Sequence, residues 1–133
     1  MLIAFEGQDG AGKTSLLHAS FRELERQGLP VVAVPEFSDS PIALRLLDAL
    51  ARDKFLRSVP GDESTALTRA MDIAADLYYF DERVIGPAMD SGCIVLKDRH
   101  VGSILSTLAP TLVNAGAIGT EPKALAWLAR LLS

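Results

Sequence analysis

Cysteine is almost absent from this chain of 133 residues, where Cys93 stands alone. A lone thiol excludes an internal disulfide framework and suits a reducing compartment, so a cytoplasmic location is expected. Histidine is nearly as scarce. His100 has no second His, Cys or carboxylate at ligand spacing and so builds no metal centre, and His18 reads as a packing or surface residue on a helix. The net charge of −4 comes with no dense basic run, which argues against nucleic acid as a main partner. No apolar stretch approaches the roughly 18–20 residues that span a bilayer. The N-terminus has neither a basic n-region nor a long apolar h-region, so no signal peptide is expected. Internal repeats and low-complexity segments are lacking too. What the chain has in quantity is apolar surface, with 49% hydrophobic residues and a mean hydropathy of +0.24. Its length suits one domain over residues 1–133 with a real core.

Short apolar runs alternate with helical patterns. Leu2 to Phe5 and Val31 to Val34 read as buried strands, the second stopped by Pro35, and Cys93 to Leu96 as a third. Thr14 to Gln27 carries Leu16, Leu17, Phe21 and Leu24 at helical spacing and ends at Gly28 and Pro30. Further helices are expected from about Pro41 to Phe55, from about Ser64 toward Asp90 with a bend near Gly86-Pro87, from Val101 to Leu112, and from Glu121 to Leu132. A turn is expected over Val59 to Glu63. This alternation argues for an α/β fold of the P-loop NTPase type, with three parallel strands and helices on both faces. Such sheets bind ligands beyond the carboxyl ends of their strands. Residues 6–15 and the Asp98-Arg99-His100 segment fall there.

The segment Gly7-Gln8-Asp9-Gly10-Ala11-Gly12-Lys13-Thr14 matches G-x-x-x-x-G-K-[ST] in full, with a strand before it and a helix after it. Its glycines let successive backbone N–H groups turn inward around phosphates, and the helix start adds its positive end. Lys13 is expected to reach the terminal phosphates of ATP and the Thr14 hydroxyl a Mg²⁺ position, with Ser15 completing the ATP-binding segment. A regulatory GTPase would carry an N-K-x-D segment. The only asparagine is Asn114, followed by Ala115, so that reading is weak.

The stretch IAFEGQDGAGKT resembles the opening of thymidylate kinases, where F-E-G-x-D-G-A-G-K-[ST] recurs. AADLYYFDERVIGPAMDSGCIVLKDRHVGS resembles the family's long helix, third strand and D-R-Y-x-x-S motif. The resemblance implies a nucleoside monophosphate kinase of nucleotide biosynthesis, transferring the γ-phosphoryl of ATP to a deoxynucleoside monophosphate with Mg²⁺. Asp98, ending an apolar strand beside the phosphate loop, can hold the hydrated Mg²⁺ together with Thr14. Arg99 can grip the acceptor's phosphate in a bidentate manner, as the family's arginine does. Lys13, Asp98 and Arg99 are thus the expected catalytic residues. By resemblance Asp9 lies near the acceptor's sugar and phosphate, and Ser103 matches the family's serine. Glu36 survives from the family's R-E-P-G-G-T loop. ATP and a deoxynucleotide are the expected partners, a homodimer is the candidate assembly, and no membrane or nucleic acid partner is expected.

The chain also departs from the family. Pro35-Glu36-Phe37-Ser38-Asp39-Ser40 lacks the arginine of the second-strand loop, and His100 replaces a tyrosine. Ile73 and Leu77 stand where the family's phenylalanine and arginine read thymine, so thymidylate is expected to be a poor or unselective acceptor. Asp72 and Asp76 read as two solvated carboxylates on a helix, Asp76 matching a family aspartate. Tyr78, Tyr79 and Phe80 are candidates for a base pocket or for core packing. Cys93 reads as a small hydrophobe beginning a strand. The residues end about where the family's fourth strand would begin, with Arg130, expected to be buried, as the only arginine after Arg99. That leads us to expect a truncated or divergent relative whose first strand is an exposed edge, and whose turnover needs a missing lid arginine. A deoxynucleoside kinase with Glu36 as base, and an ATP-binding module without turnover, are the alternatives.

Overall fold

The computed structural model of the chain describes residues 1–52 and 65–133. Its elements are β1 (Leu2–Phe5), α1 (Lys13–Arg26), β2 (Val31–Val34), α2 (Pro41–Arg52), α3 (Ala66–Phe80), α4 (Gly86–Asp90), β3 (Ile94–Asp98), α5 (Val101–Asn114) and α6 (Glu121–Leu132). A π-helical turn over Asp81–Ile85 joins α3 to α4. All three strands are parallel in the order β1-β3-β2, so the expected sheet is present and β1 lies at its edge. The end expected for α2 at residue 55, the turn at 59–63 and the helix start at 64 lie outside the described residues.

One compact unit comprises Met1–Glu36 and Tyr79–Ser103. At its centre β3 pairs with β1 from Leu2↔Val95 to Phe5↔Asp98 and with β2 from Val31↔Ile94 to Val34↔Lys97. Pairing on both sides leaves Val95, Leu96 and Lys97 at most 1% exposed. Successive strand residues face opposite sides. Val95 packs with Val34, Phe80 and Ile85, and the Lys97 ammonium lies over the Phe80 ring on that same side. Leu96 and Asp98 point the other way, and Asp98 meets Lys13 of α1 there. This strand runs two residues further than its apolar letters suggested, because parallel pairing with β1 continues through Asp98. Cys93, expected to begin the strand, precedes it and is half-buried.

The bend expected near Gly86-Pro87 takes the form of the π turn directly before it. The Gly86 N–H donates to the Asp81 carbonyl, one residue beyond the α-helical partner. A Cβ at position 86 would stand 2.8 Å from that oxygen, so the turn needs glycine for close approach rather than for an unusual φ.

The second unit comprises Phe37–Tyr78 and Ile104–Ser133. Its core gathers Leu46 and Ala49 of α2, Ala70 and Ile73 of α3, Leu108 and Leu112 of α5, and Ala124 and Leu128 of α6. Trp127 packs against this cluster, and Leu125 is 37% exposed. Two expectations are corrected here. Asp76 is buried, because Ser38 and Ser40 of the loop before α2 supply its carboxyl with donors. Arg130 is exposed, because α6 turns Ala124 and Leu128 inward and leaves Arg130 on its outer side, where Nε donates to the Ala126 carbonyl. Of the run Tyr78-Tyr79-Phe80, Phe80 is core, Tyr79 half-buried and Tyr78 exposed.

Candidate functional site

The glycine-rich segment leaves β1 at Phe5 and enters α1 at Lys13. Ala11 donates its N–H to the Gln8 carbonyl at 3.1 Å, which closes a turn within the loop. Gly10 (φ 81°) and Gly12 (φ 85°) take left-handed backbone conformations that L side chains rarely adopt. Gly12 is the N-cap of α1, with no side chain bonded to the helix start. The first N–H groups of α1 are thereby left for an outside acceptor, the arrangement that suits an anion. Thr14 and Ser15 lie exposed on this first turn, as do Gln8, Asp9, Gly10, Ala11 and Gly12 in the loop, with Gly7 half-buried.

Beside the loop stands the end of β3. Lys13 Nζ lies 2.9 Å from Asp98 Oδ1, with both side chains largely shielded from solvent. Arg99 follows with φ 59°, the one non-glycine positive φ among the described residues, and its N–H donates to the Phe5 carbonyl. The side chain is 17% exposed and reaches two carboxylates: Asp9 Oδ1 at 2.5 Å from Nη2, and Glu36 Oε2 at 3.7 Å from Nε. A non-glycine residue in this conformation stores strain that the surroundings must hold, a feature that gathers at functional positions. Burial pushes the Glu36 carboxyl above its ordinary value, opposed by the Arg99 charge and reinforced by Asp98. Thus the structure brings together the loop, Lys13, Asp98, Arg99, Asp9 and Glu36.

Ser103 is also near, but its N–H and hydroxyl both donate to Glu6 Oε2, and the His100 N–H donates to Glu6 Oε1 at 2.9 Å. Glu6 therefore ties the start of α5 to the end of β1. Burial, followed by the Lys97 charge, lowers the His100 pKa, with Glu6 and Asp81 acting in the opposite direction. Sequence reading passed over both Glu6 and Lys97. For Lys97 the available signal was a charge inside an apolar strand, which is rarely buried unless partnered.

Among the described residues no group of three or more His, Cys, Asp and Glu could hold a metal ion. Thr14 and Asp98 instead offer a hydroxyl in the first turn of α1 and a carboxylate at the end of β3 beside Lys13. That oxygen donor set fits Mg²⁺, which keeps several waters and relies on substrate phosphates rather than a protein cage. No helix of the described residues is long and apolar enough to cross a membrane.

A family model described as thymidylate kinase matches residues 5–109. The chain is 34% identical over 106 residues to a thymidylate kinase of Bacillus pumilus, covering 80% of this chain and 47% of that protein. It is 30% identical over 103 residues to one of Chlorobaculum parvum, covering 77% and 44% respectively. A thymidylate kinase of Acinetobacter baumannii is 30% identical over 137 aligned positions, covering 96% of this chain and 66% of that protein. The chain thus spans between about half and two thirds of the length of these curated relatives.

Proposed function

This chain belongs to the thymidylate kinase family, and from that premise we propose that residues 1–133 form the phosphate-loop part of an ATP-dependent nucleotide kinase. The acceptor is a deoxynucleoside monophosphate: family membership points to thymidylate, while Ile73 and Leu77 at the family's thymine-reading positions lead us to expect little selectivity for it. One observation carries this reading. The loop of residues 7–14 leads into Lys13, ion-paired with Asp98 at the end of β3, and its Asp9 is ion-paired with Arg99 beside that strand end.

Phosphoryl transfer asks a protein mainly for positioning and for neutralisation of charge. An oxygen of the acceptor's phosphate attacks the γ-phosphorus of ATP, and ADP departs with the bridging oxygen. The backbone N–H groups of the loop and the Lys13 ammonium hold the donor's phosphates. Arg99, a planar fork of donors, takes the acceptor's phosphate, and Asp9 and Glu36 hold that fork in place until the phosphate arrives. Thr14 and Asp98 would hold Mg²⁺, which would neutralise charge on the donor's phosphates. Glu6 keeps the segment from His100 to Ser103 against the loop through three hydrogen bonds.

Calorimetry with Mg·ATP on the wild type and Lys13→Ala tests the donor side. We expect affinity to fall by about tenfold or more, since a charge-assisted contact to phosphate is worth about 1.5–3 kcal/mol, while the circular dichroism spectrum is unchanged. Equal affinity in both proteins would remove the phosphate-loop reading. A coupled assay against a panel of nucleosides and pyrimidine monophosphates then identifies the acceptor. Phosphorylation of nucleosides alone would mark a deoxynucleoside kinase, and ATP binding without any turnover a non-catalytic module.

A further inference from the structure

Lys97 lies inside the central strand with 1% of its surface exposed. A lysine that deep must have its charge compensated. Its Nζ donates to the carbonyls of Glu36 at 2.9 Å, Arg99 at 3.0 Å and Pro35 at 3.3 Å, and lies 5.1 Å from the centroid of the Phe80 ring. Three carbonyls match the three N–H donors of an ammonium. An uncharged side chain of the same length would fill the space and leave those carbonyls without this donor.

What matters is whose carbonyls they are. Two belong to Glu36 and Arg99, the residues whose side chains face each other at 3.7 Å. A single side chain from β3 therefore joins the loop after β2 to the loop after β3 at the backbone. It does so where Arg99 holds φ 59°, a conformation the chain does not adopt unaided. The Arg99 carbonyl is fixed from one side by Lys97 while its N–H is fixed from the other by the Phe5 carbonyl. Backbone held at both ends sets the direction in which the guanidinium leaves the chain, toward Asp9.

We propose that Lys97 is a positioning residue for the acceptor side of the site. Its ammonium fixes the backbones of Glu36 and Arg99, and through them the Asp9–Arg99–Glu36 array, without touching either nucleotide. This rests on the reading of Arg99 as the residue that takes the acceptor's phosphate.

The test uses Lys97→Met, which keeps the length and removes the donors, and Lys97→Gln, which restores an amide donor without the charge. In isotope-labelled protein the Arg99 Nε–H resonance reports the ion pairs directly. It is expected to move toward the free-arginine position in Lys97→Met and to return part of the way in Lys97→Gln, while the circular dichroism spectrum and the amide spectrum of β1 and β2 stay those of the folded chain. Calorimetry is expected to show thymidine monophosphate binding weakened by about tenfold in Lys97→Met, with Mg·ATP affinity within about twofold of wild type. If Lys97→Met does not fold, the same two measurements on Lys97→Gln carry the test. An Arg99 resonance unmoved in a folded variant overturns the proposal, as does equal loss of affinity for both nucleotides. Failure of the wild type to bind thymidine monophosphate or any other pyrimidine monophosphate refutes the acceptor reading instead. The Arg99 resonance then still decides whether Lys97 positions that side chain.

Discussion

Replacing Asp76 by alanine removes the acceptor for three donors at once. The Ser38 N–H reaches Oδ2 at 3.0 Å, the Ser40 hydroxyl reaches Oδ1 at 2.8 Å, and the Ser38 hydroxyl also donates to Oδ1. Asp76 is 2% exposed, Ser40 3% and Ser38 8%, so water does not readily replace the lost acceptor. A buried donor left unsatisfied costs about 1–3 kcal/mol. The N–H cannot turn away, whereas the hydroxyls can rotate and recover part of their loss. The sum for Asp76→Ala is therefore about 3–4 kcal/mol, a large share of the roughly 5–15 kcal/mol that holds a domain folded. Asp76→Asn keeps one carbonyl oxygen and should cost about half as much. The loss also reaches α2, because the Ser40 hydroxyl that Asp76 orients accepts the Ala43 N–H in its first turn. Trp127, the only tryptophan, packs on the core of the same unit and provides the probe. At a slope of about 2 kcal/mol per molar urea, the midpoint of Asp76→Ala should fall by about 1.5–2 M. Ser38→Ala should cost much less in the Asp76→Ala background than alone, since the two share one network. A variant within about 0.5 kcal/mol of wild type would refute the network as a source of stability.

Two further outcomes are expected. The Glu36 carboxyl is raised above 4.5, so the folded chain holds that proton more tightly than the unfolded chain. Its contribution is fully present below 4.5 and is lost as pH rises through the raised value, so urea midpoints of wild type minus Glu36→Gln should fall across that window. A difference that grows with pH would mean that the Arg99 charge outweighs burial. Gly86→Ala should lower the melting temperature although Gly86 has helical φ and ψ, where alanine ordinarily stabilises by about 0.5–1 kcal/mol. The added Cβ meets the Asp81 carbonyl at 2.8 Å, and a variant more stable than wild type would show that the π turn relaxes freely.

The phosphate loop was legible because its information is local. Gly10, Gly12, Lys13 and Thr14 are neighbours in sequence, and the backbone angles that require glycine occur inside the motif itself. The three strands were legible for a similar reason, as short apolar runs between turn residues. The state of Asp76 was not, since Asp72 and Asp76 look alike on a helix. Only partners 36 and 38 residues away decide that one is buried, while the other is ion-paired at 3.8 Å to Arg45. Arg130 failed for the opposite reason. Its apolar neighbours suggested burial, but a helix buries one face, and Ala124 and Leu128 define that face four residues apart. The letters pointed to a bend near Gly86-Pro87 but not to its π form, because i to i+5 bonding leaves an otherwise helical pattern intact over so few residues.

The end of β3 explains why two adjacent opposite charges have separate tasks. Lys97 and Asp98 are neighbours, and in solution a lysine beside an aspartate would commonly be read as a local pair. In a strand they leave on opposite faces. Lys97 shares its side with Val95 and Phe80 and reaches the carbonyls of the loop after β2. Asp98 shares its side with Leu96 and reaches Lys13 at the head of α1. The pleat thus divides the charges between the two sides of the candidate site, and the register Phe5↔Asp98 and Val34↔Lys97 fixes both distances at once. A slip of one residue in β3 would turn Lys97 toward Lys13 and Asp98 toward the carbonyls of Pro35 and Glu36, placing two cations together on one side and a carboxylate against acceptor oxygens on the other. That penalty adds to the burial of Val95 and Leu96 in holding the strand in register. The residues that serve the site are therefore also among those that specify the sheet.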